Sequence, residues 1–290
     1  MTSIAARSLR SGEPGTTGRV RLANGSELHF VEMGRGPAVI FMHGGMGDCG
    51  SWGLQLHAFA RDCRVVAYSR RLHCPNRNPM PLLHPSLDEE AVDLDGLQRA
   101  LQTGPAHLVA TSYGALVAVA FALRHSQQVR SLVLAEPPLH HWACATLRGR
   151  RLLRQFMSRC WRPAQRAFDE GEDHEALRLL MDGMWGRPVY DAIPAARREI
   201  AFRNAAAMKL LVRVADPLPD LPRDAVAGLT MPVLMVQGAW ASALHRRGLD
   251  ELAALLPSAR RAVIESAGHA SPSENPTAFN TAVLGFIRTL

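Results

Sequence analysis

The chain has 290 residues, 47% hydrophobic and 20% charged, with 23 Gly and 19 Pro. That composition is ordinary for a globular protein and excludes a disordered chain, a collagen-like repeat and a disulfide-stapled miniprotein. Its net charge of +7 would permit contact with nucleic acid or an anionic surface, yet no zinc-finger spacing or aromatic RNA-binding box accompanies it, so nucleic acid is not an expected partner.

No window reaches the roughly 18 consecutive apolar residues that cross a bilayer. The stretch from Met1 to Arg19 lacks the apolar core of a secretion signal, so stable membrane insertion is not expected and the cytoplasm is the default location. Cys49, Cys63, Cys74, Cys144 and Cys160 are odd in number and form no C-x-x-C pair. Free thiols are expected, with neither a disulfide framework nor a zinc site.

Short apolar runs at Val20 to Ala23 and Leu28 to Met33 flank Asn24-Gly25, which predicts a hairpin. Ala38 to Met42 is almost wholly apolar and reads as a strand covered on both faces. Val65 to Tyr68 reads as strand, Ser86 to Leu101 as helix, His107 to Thr111 as strand, Tyr113 to Leu123 as helix and Val129 to Ala135 as strand. Such alternation calls for a parallel sheet with helices on both faces.

The alternation stops at Pro137. From there to about Pro222 the chain is rich in Arg, Leu and Ala and ends in the proline-studded Asp216 to Pro222, which predicts a helical insertion. Within it, seven arginines between Arg148 and Arg166 occur without an Asp or Glu; a solvated helix face is the simpler reading, an anionic ligand or surface the other. The core pattern resumes with a strand at Pro232 to Gln237, a helix at Leu249 to Leu256, a strand at Ala262 to Glu265 and a closing helix from Glu274 to Leu290. The predicted organisation is a core of residues 16–136 and 223–290 with a helical cap of residues 137–222.

Three segments carry chemistry. Ala110-Thr111-Ser112-Tyr113-Gly114 lies between an apolar strand and an apolar helix, where small neighbours allow a serine to sit on a tight, strained turn. A serine there can equally be an N-cap. His43-Gly44-Gly45-Met46-Gly47 follows a strand, and such a loop can turn backbone N–H groups toward a developing oxyanion. His269, in Ser266 to Ala270, follows the last strand and so can reach the C-terminal edge of the sheet.

Taken together, H-G-G-x-G at residues 43–47, small-x-S-x-G at 110–114 and G-H-x-x-x-x-E-x-P at 268–276 resemble the α/β-hydrolase superfamily. The likeness runs from about Arg19 to Leu290, with the 137–222 insertion matching only as a generic helical cap. It implies an α/β-hydrolase fold, with a mostly parallel central sheet and a cap inserted after the sixth strand. By the same resemblance Ser112 is the nucleophile, His269 the general base, and Gly45 and Tyr113 the oxyanion-hole donors. No cofactor and no metal are implied.

The acid departs from the commoner pattern. Where relatives have G-x-x-D, this chain reads Gly238-Ala239-Trp240-Ala241-Ser242, with no Asp or Glu between Asp224 and Asp250. Some members place the acid at the end of the sixth strand, and here Glu136 follows Val133-Leu134-Ala135. An imidazolium left unpaired in a partly dry pocket would cost about 3–5 kcal/mol, so a partner is needed. Glu136 is the expected one; Asp220, Asp250 or a dyad without an acid are the other readings. Ser69-Arg70-Arg71-Leu72-His73-Cys74-Pro75-Asn76 looks like the loop variant that accompanies the shifted acid, with Arg71 bracing the loop under the nucleophile and His73 either bracing it too or lining the pocket.

The expected reaction is cleavage of a carboxylic ester with a small or medium apolar acyl part, through an acyl-enzyme. Lactone, thioester or C–C bond hydrolysis by the same residues, or a non-hydrolytic ligand-binding homologue, are the alternatives. Expected substrate-lining residues are His43, Met46, His73, Trp142, Trp185 and Trp240. The partner is a small-molecule acyl substrate, and a homodimer stays open.

Overall fold

The computed structural model describes residues 15–83, 86–213 and 219–290. Eight strands form one sheet: β1 Thr16–Arg21, β2 Glu27–Met33, β3 Ala38–Met42, β4 Arg64–Tyr68, β5 Ala106–Thr111, β6 Val129–Ala135, β7 Val233–Gly238 and β8 Arg260–Ile264. Their spatial order is β1-β2-β4-β3-β5-β6-β7-β8. The pairs β1/β2 and β2/β4 are antiparallel, and every other pair is parallel. This is the α/β-hydrolase fold that the sequence motifs imply.

The central strands show why their sequences are continuously apolar. In β3, Ile40 and Met42 enter one hydrophobic cluster and Val39 and Phe41 the other. Leu108 and Val109 in β5, Leu134 and Val133 in β6, and Met235 and Leu234 in β7 divide the same way. Successive side chains point to opposite faces, so a strand covered on both sides needs apolar residues throughout. Helices Leu87–Leu101 and Tyr113–Arg124 cover the first face. Gly53–Phe59 and Pro276–Ile287 cover the second, through Phe59 and Phe279.

Local signals set most boundaries. Ser86 caps the helix Leu87–Leu101 in a reciprocal capping box with Glu89, the expected Ser-x-x-Glu arrangement. The hairpin forms as expected, though its first strand ends at Arg21: Leu22 is already bonded across the turn to Ser26. The helix expected from Leu249 starts at Ala243 instead, because Ser242 caps it by accepting from the His245 N–H. The expected closing helix is divided into Ser271–Glu274 and Pro276–Ile287. Pro276 has no N–H and restricts the residue before it, while the Asn275 side chain caps the second piece.

Between β6 and β7 the described residues form helices and no strand, among them Leu147–Phe156, Asp173–Trp185, Ala195–Arg203 and Ala205–Val212. Residues 214–218, which include the first three of the proline-rich stretch, and residues 1–14 lie outside the described residues. One apolar cluster runs from the first sheet face into these helices through Trp142, Trp161, Leu180 and Met208. All seven arginines from Arg148 to Arg166 are exposed. Among the described residues no helix is long and apolar enough to cross a membrane.

Candidate active site

Ser112 is the first residue beyond β5 and takes left-handed backbone, with φ 50° and ψ −127°. A non-glycine residue there stores backbone strain, and its N–H donates to the Ala135 carbonyl at 2.8 Å. The tightness of the turn explains Gly114, where a Cβ would come within 2.4 Å of the His43 carbonyl oxygen. Ser112 occupies the N-cap position of the next helix, yet its hydroxyl makes no capping bond. Its Oγ lies 3.1 Å from His269 Nε2 instead.

Glu136 is the first residue beyond β6, also at positive φ, 46°. Its carboxylate is 1% exposed. Oε1 accepts the Gly238 N–H at 2.8 Å and Oε2 faces His269 Nδ1 at 2.9 Å. A carboxylate accepts only, so the proton of neutral His269 is held at Nδ1 and the lone pair at Nε2 faces the serine hydroxyl. Ser112, His269 and Glu136, from three distant stretches, therefore form one hydrogen-bonded line. The other acids weighed from sequence are engaged elsewhere: Asp220 accepts from Trp142 Nε1 and Asp250 pairs with Arg261.

The histidine loop has its own clip. Glu274 Oε2 accepts from the N–H groups of Gly268 and Ala270 at 2.9 and 3.0 Å, gripping the residues on either side of His269. Its Oε1 accepts Trp185 Nε1 at 2.8 Å, which ties the loop to a helix of the insertion.

Below the glycine-rich loop, Arg70 is 1% exposed and pairs with Glu90 at 2.6 Å. It also reaches the carbonyl oxygens of His43 and Gly44, each at 3.3 Å. The brace is thus Arg70, not Arg71 as the sequence suggested; Arg71 forks onto Asp93 at 2.7 and 2.8 Å. Two adjacent arginines point to different acids, and nothing in the sequence separates them.

The Ser112 hydroxyl opens on a cavity of about 630 Å³, lined by Gly45, Met46, Met181, Trp185, Trp240 and Arg197 among others. A second space of about 30 Å³ adjoins Ser112 and His269, walled by Gly45, Tyr113, Trp161, Met184 and Met208. Met46, Trp185 and Trp240 are therefore wall residues, and Gly45 and Tyr113 flank the serine.

His43, His73 and Trp142 do not line the cavity: this differs from the expected wall, and for His73 it agrees with the bracing reading. His43 is fully buried: Nδ1–H donates to the Gly44 carbonyl at 2.8 Å and Nε2 accepts the Arg70 N–H at 2.9 Å. His73 Nε2 stands 3.0 Å from the Gly45 carbonyl. Both rings hold the glycine loop from beneath. Trp142 is buried within the insertion, donating to Asp220 at 2.8 Å.

Two histidines unremarked in the sequence surround His269. His245 stacks on it with ring centroids 4.4 Å apart, and His140 meets His245 edge-on at 5.2 Å. Burial first, then the charges of the other histidines, holds His245 far below the ordinary imidazole range, although the Met184 carbonyl offsets part of this. His140 is lowered to about 3, mainly by burial and secondly by His269; His43 is lowered to about 3 by burial and by Arg70. These rings are neutral at pH 7. Glu136, His245 and His269 each present a potential ligand atom within 4.8 Å of the others, a set able to hold a transition metal, although Glu136 and His269 hold each other here.

Residues 39–282 match the Alpha/beta hydrolase family. The chain belongs to that family. It is similar to the uncharacterized hydrolase YraK of Bacillus subtilis, 27% identical over 115 residues, 40% of this chain and 42% of YraK. The match therefore spans less than half of that relative. A longer match, 23% identical over 266 residues, covers 90% of this chain and 95% of the "Putative carbamate hydrolase RutD" of Azorhizobium caulinodans. The solved structure of a hydrolase from Pseudomonas aeruginosa superposes with a TM-score of 0.73 at 23% identity, covering 95% of this chain and 99% of that one. At that identity the likeness speaks for the α/β-hydrolase fold alone.

Proposed function

We propose that this α/β hydrolase cleaves carboxylic esters of small or medium acyl substrates through an acyl-enzyme on Ser112. The observation that carries the reading is the line Ser112 Oγ to His269 Nε2 at 3.1 Å and His269 Nδ1 to Glu136 Oε2 at 2.9 Å, opening on a cavity of about 630 Å³. That volume is in the range of small-molecule sites.

A serine hydroxyl is a poor nucleophile at its free pKa. His269 takes its proton as Oγ attacks the ester carbonyl, and Glu136 stabilises the resulting imidazolium. The N–H groups of Gly45 and Tyr113 receive the oxyanion. His269 then protonates the leaving alcohol, and water attacks the acyl-enzyme with His269 again as base. In this reading the helices of 137–222 act as a cap, supplying Met181, Trp185 and Arg197 to the cavity wall.

Serine at position 112 argues against the carboxylate nucleophile of epoxide and haloalkane hydrolysis, since a hydroxyl cannot form an ester intermediate by displacement. Carbamate cleavage is the second reading, favoured by the full-length similarity to RutD. The test is a panel of 4-nitrophenyl esters of graded acyl length beside a phenyl carbamate, followed by stopped flow. A burst of about one nitrophenolate per protein supports the ester reading; absence of turnover across the ester series contradicts it.

A further inference from the structure

Among the described residues, Arg197 is the one arginine in the wall of the large cavity. Arg70, Arg71, Arg203, Arg213, Arg223 and Arg261 each pair with a carboxylate. Arg197 lines the large cavity beside Ser112 and is partly buried, yet it has no carboxylate partner among the described residues. Among the described residues its one hydrogen bond is from Nη1 to the Ser51 carbonyl at 3.1 Å. A guanidinium carries five N–H donors in a planar fork, and among the described residues one of them, on Nη1, has a partner.

The neighbouring acids are already engaged. Asp48, whose charge acts on Arg197, is bonded to Arg203 at 2.7 Å and Asn204 at 2.9 Å. Glu274, also in the cavity wall, accepts from Trp185, Gly268 and Ala270. Burial draws the Arg197 guanidinium below its ordinary range, but an arginine stays protonated throughout the physiological range. The residue also sits in the first turn of the helix Ala195–Arg203, which holds no acid there. A cation at the positive end of a helix dipole is unfavourable, so dipole and guanidinium add to one electropositive locus. A partly desolvated cation of this kind is best compensated by a planar anion that takes two parallel N–H bonds.

We propose that the substrate carries a carboxylate that Arg197 binds, placing a second carbonyl group of the same molecule at Ser112. Resting on the ester reading above, this makes the substrate class a half-ester of a dicarboxylic acid, or a comparable acyl compound with an anionic end. Arg197 sets specificity. The apolar walls of Met46, Met181 and Trp185 hold the chain between the two polar ends.

The experiment reads binding, not turnover, so that it survives failure of the ester assignment. Protein carrying Ser112→Ala is titrated calorimetrically with monomethyl malonate, succinate, glutarate and adipate, each beside its dimethyl ester. At least one half-ester should bind tenfold or more tightly than its neutral diester. That preference should vanish with Arg197→Gln and survive in part with Arg197→Lys. Equal affinity for half-ester and diester at every length overturns the proposal without recourse to a variant. So does a preference that Arg197→Gln leaves intact, or loss of half-ester and diester binding by equal factors, which would mean that Arg197 only latches Ser51.

Discussion

Ser112 and Glu136 each stand one residue beyond a paired strand end, Thr111 opposite Ala135, and both turn there into left-handed backbone at φ 50° and 46°. Neighbouring strands are about 4.8 Å apart, so one imidazole entering from above can touch both side chains. Glu136→Gln keeps the shape and an oxygen for the Gly238 N–H, but offers His269 Nδ1 an amide donor. The ring must then turn its lone pair toward residue 136 and its N–H toward Ser112. Ester turnover should fall by about 10⁴, the order seen when a triad acid becomes its amide, with an unchanged thermal midpoint. Activity within tenfold of the parent would place the acid elsewhere.

The acid seat also depends on Gly238. A Cβ there would come within 2.2 Å of the Gly268 carbonyl oxygen, immediately before His269. Gly238→Ala must displace the histidine loop. The expected outcome is a loss of about 1–3 kcal/mol in urea unfolding from overpacking, together with a fall in kcat larger than the change in KM.

Arg70 and Glu90 are 1% and 4% exposed. Removing the acid with Glu90→Ala leaves a guanidinium uncompensated under the glycine loop, at a cost of about 3–5 kcal/mol. Urea unfolding should show it. The equivalent loss for the solvent-exposed pair Arg213 and Asp169, with side chains 51% and 50% exposed, should stay below about 1 kcal/mol.

Buried neutral histidines give the fold an acid limit. His43 and His140 are held near 3 against an ordinary 6.5. Between those values the unfolded chain binds protons that the folded chain refuses, so stability is full above pH 6.5 and declines as pH falls toward 3. From pH 7 to pH 5 the loss should be on the order of 1–2 kcal/mol per histidine. Neither ring nitrogen of His140 has a hydrogen-bond partner, so His140→Leu should flatten the dependence. Denaturation midpoints at pH 7 and 5, parent against variant, check this; equal slopes contradict it.

The motif residues of the sequence proved legible because their chemistry is local: a serine between a strand and a helix, glycines after β3, a histidine after β8. The central strands were legible for the same reason, since two-sided burial writes itself as an unbroken apolar run. Bracing was not. Arg70 and Arg71 are adjacent and chemically identical, and only the three-dimensional placement of Glu90 and Asp93 tells them apart. His43 reads as a wall residue because it opens the glycine loop, whereas the loop turns it beneath itself, beside His73. His245 lies 24 residues before His269 on another element, and no spacing rule links a helix residue to a loop across the sheet edge. Ser242 could have been found as a cap signal ahead of it.

The proposed ester cleavage requires that Ser112 become acylated. The direct measurement is mass spectrometry of protein quenched during turnover of a 4-nitrophenyl ester and of protein treated with a fluorophosphonate. One acyl or phosphonyl group per chain is predicted, on the peptide containing Ser112, and absent from Ser112→Ala. Turnover without any adduct, or an adduct on another residue, would contradict it.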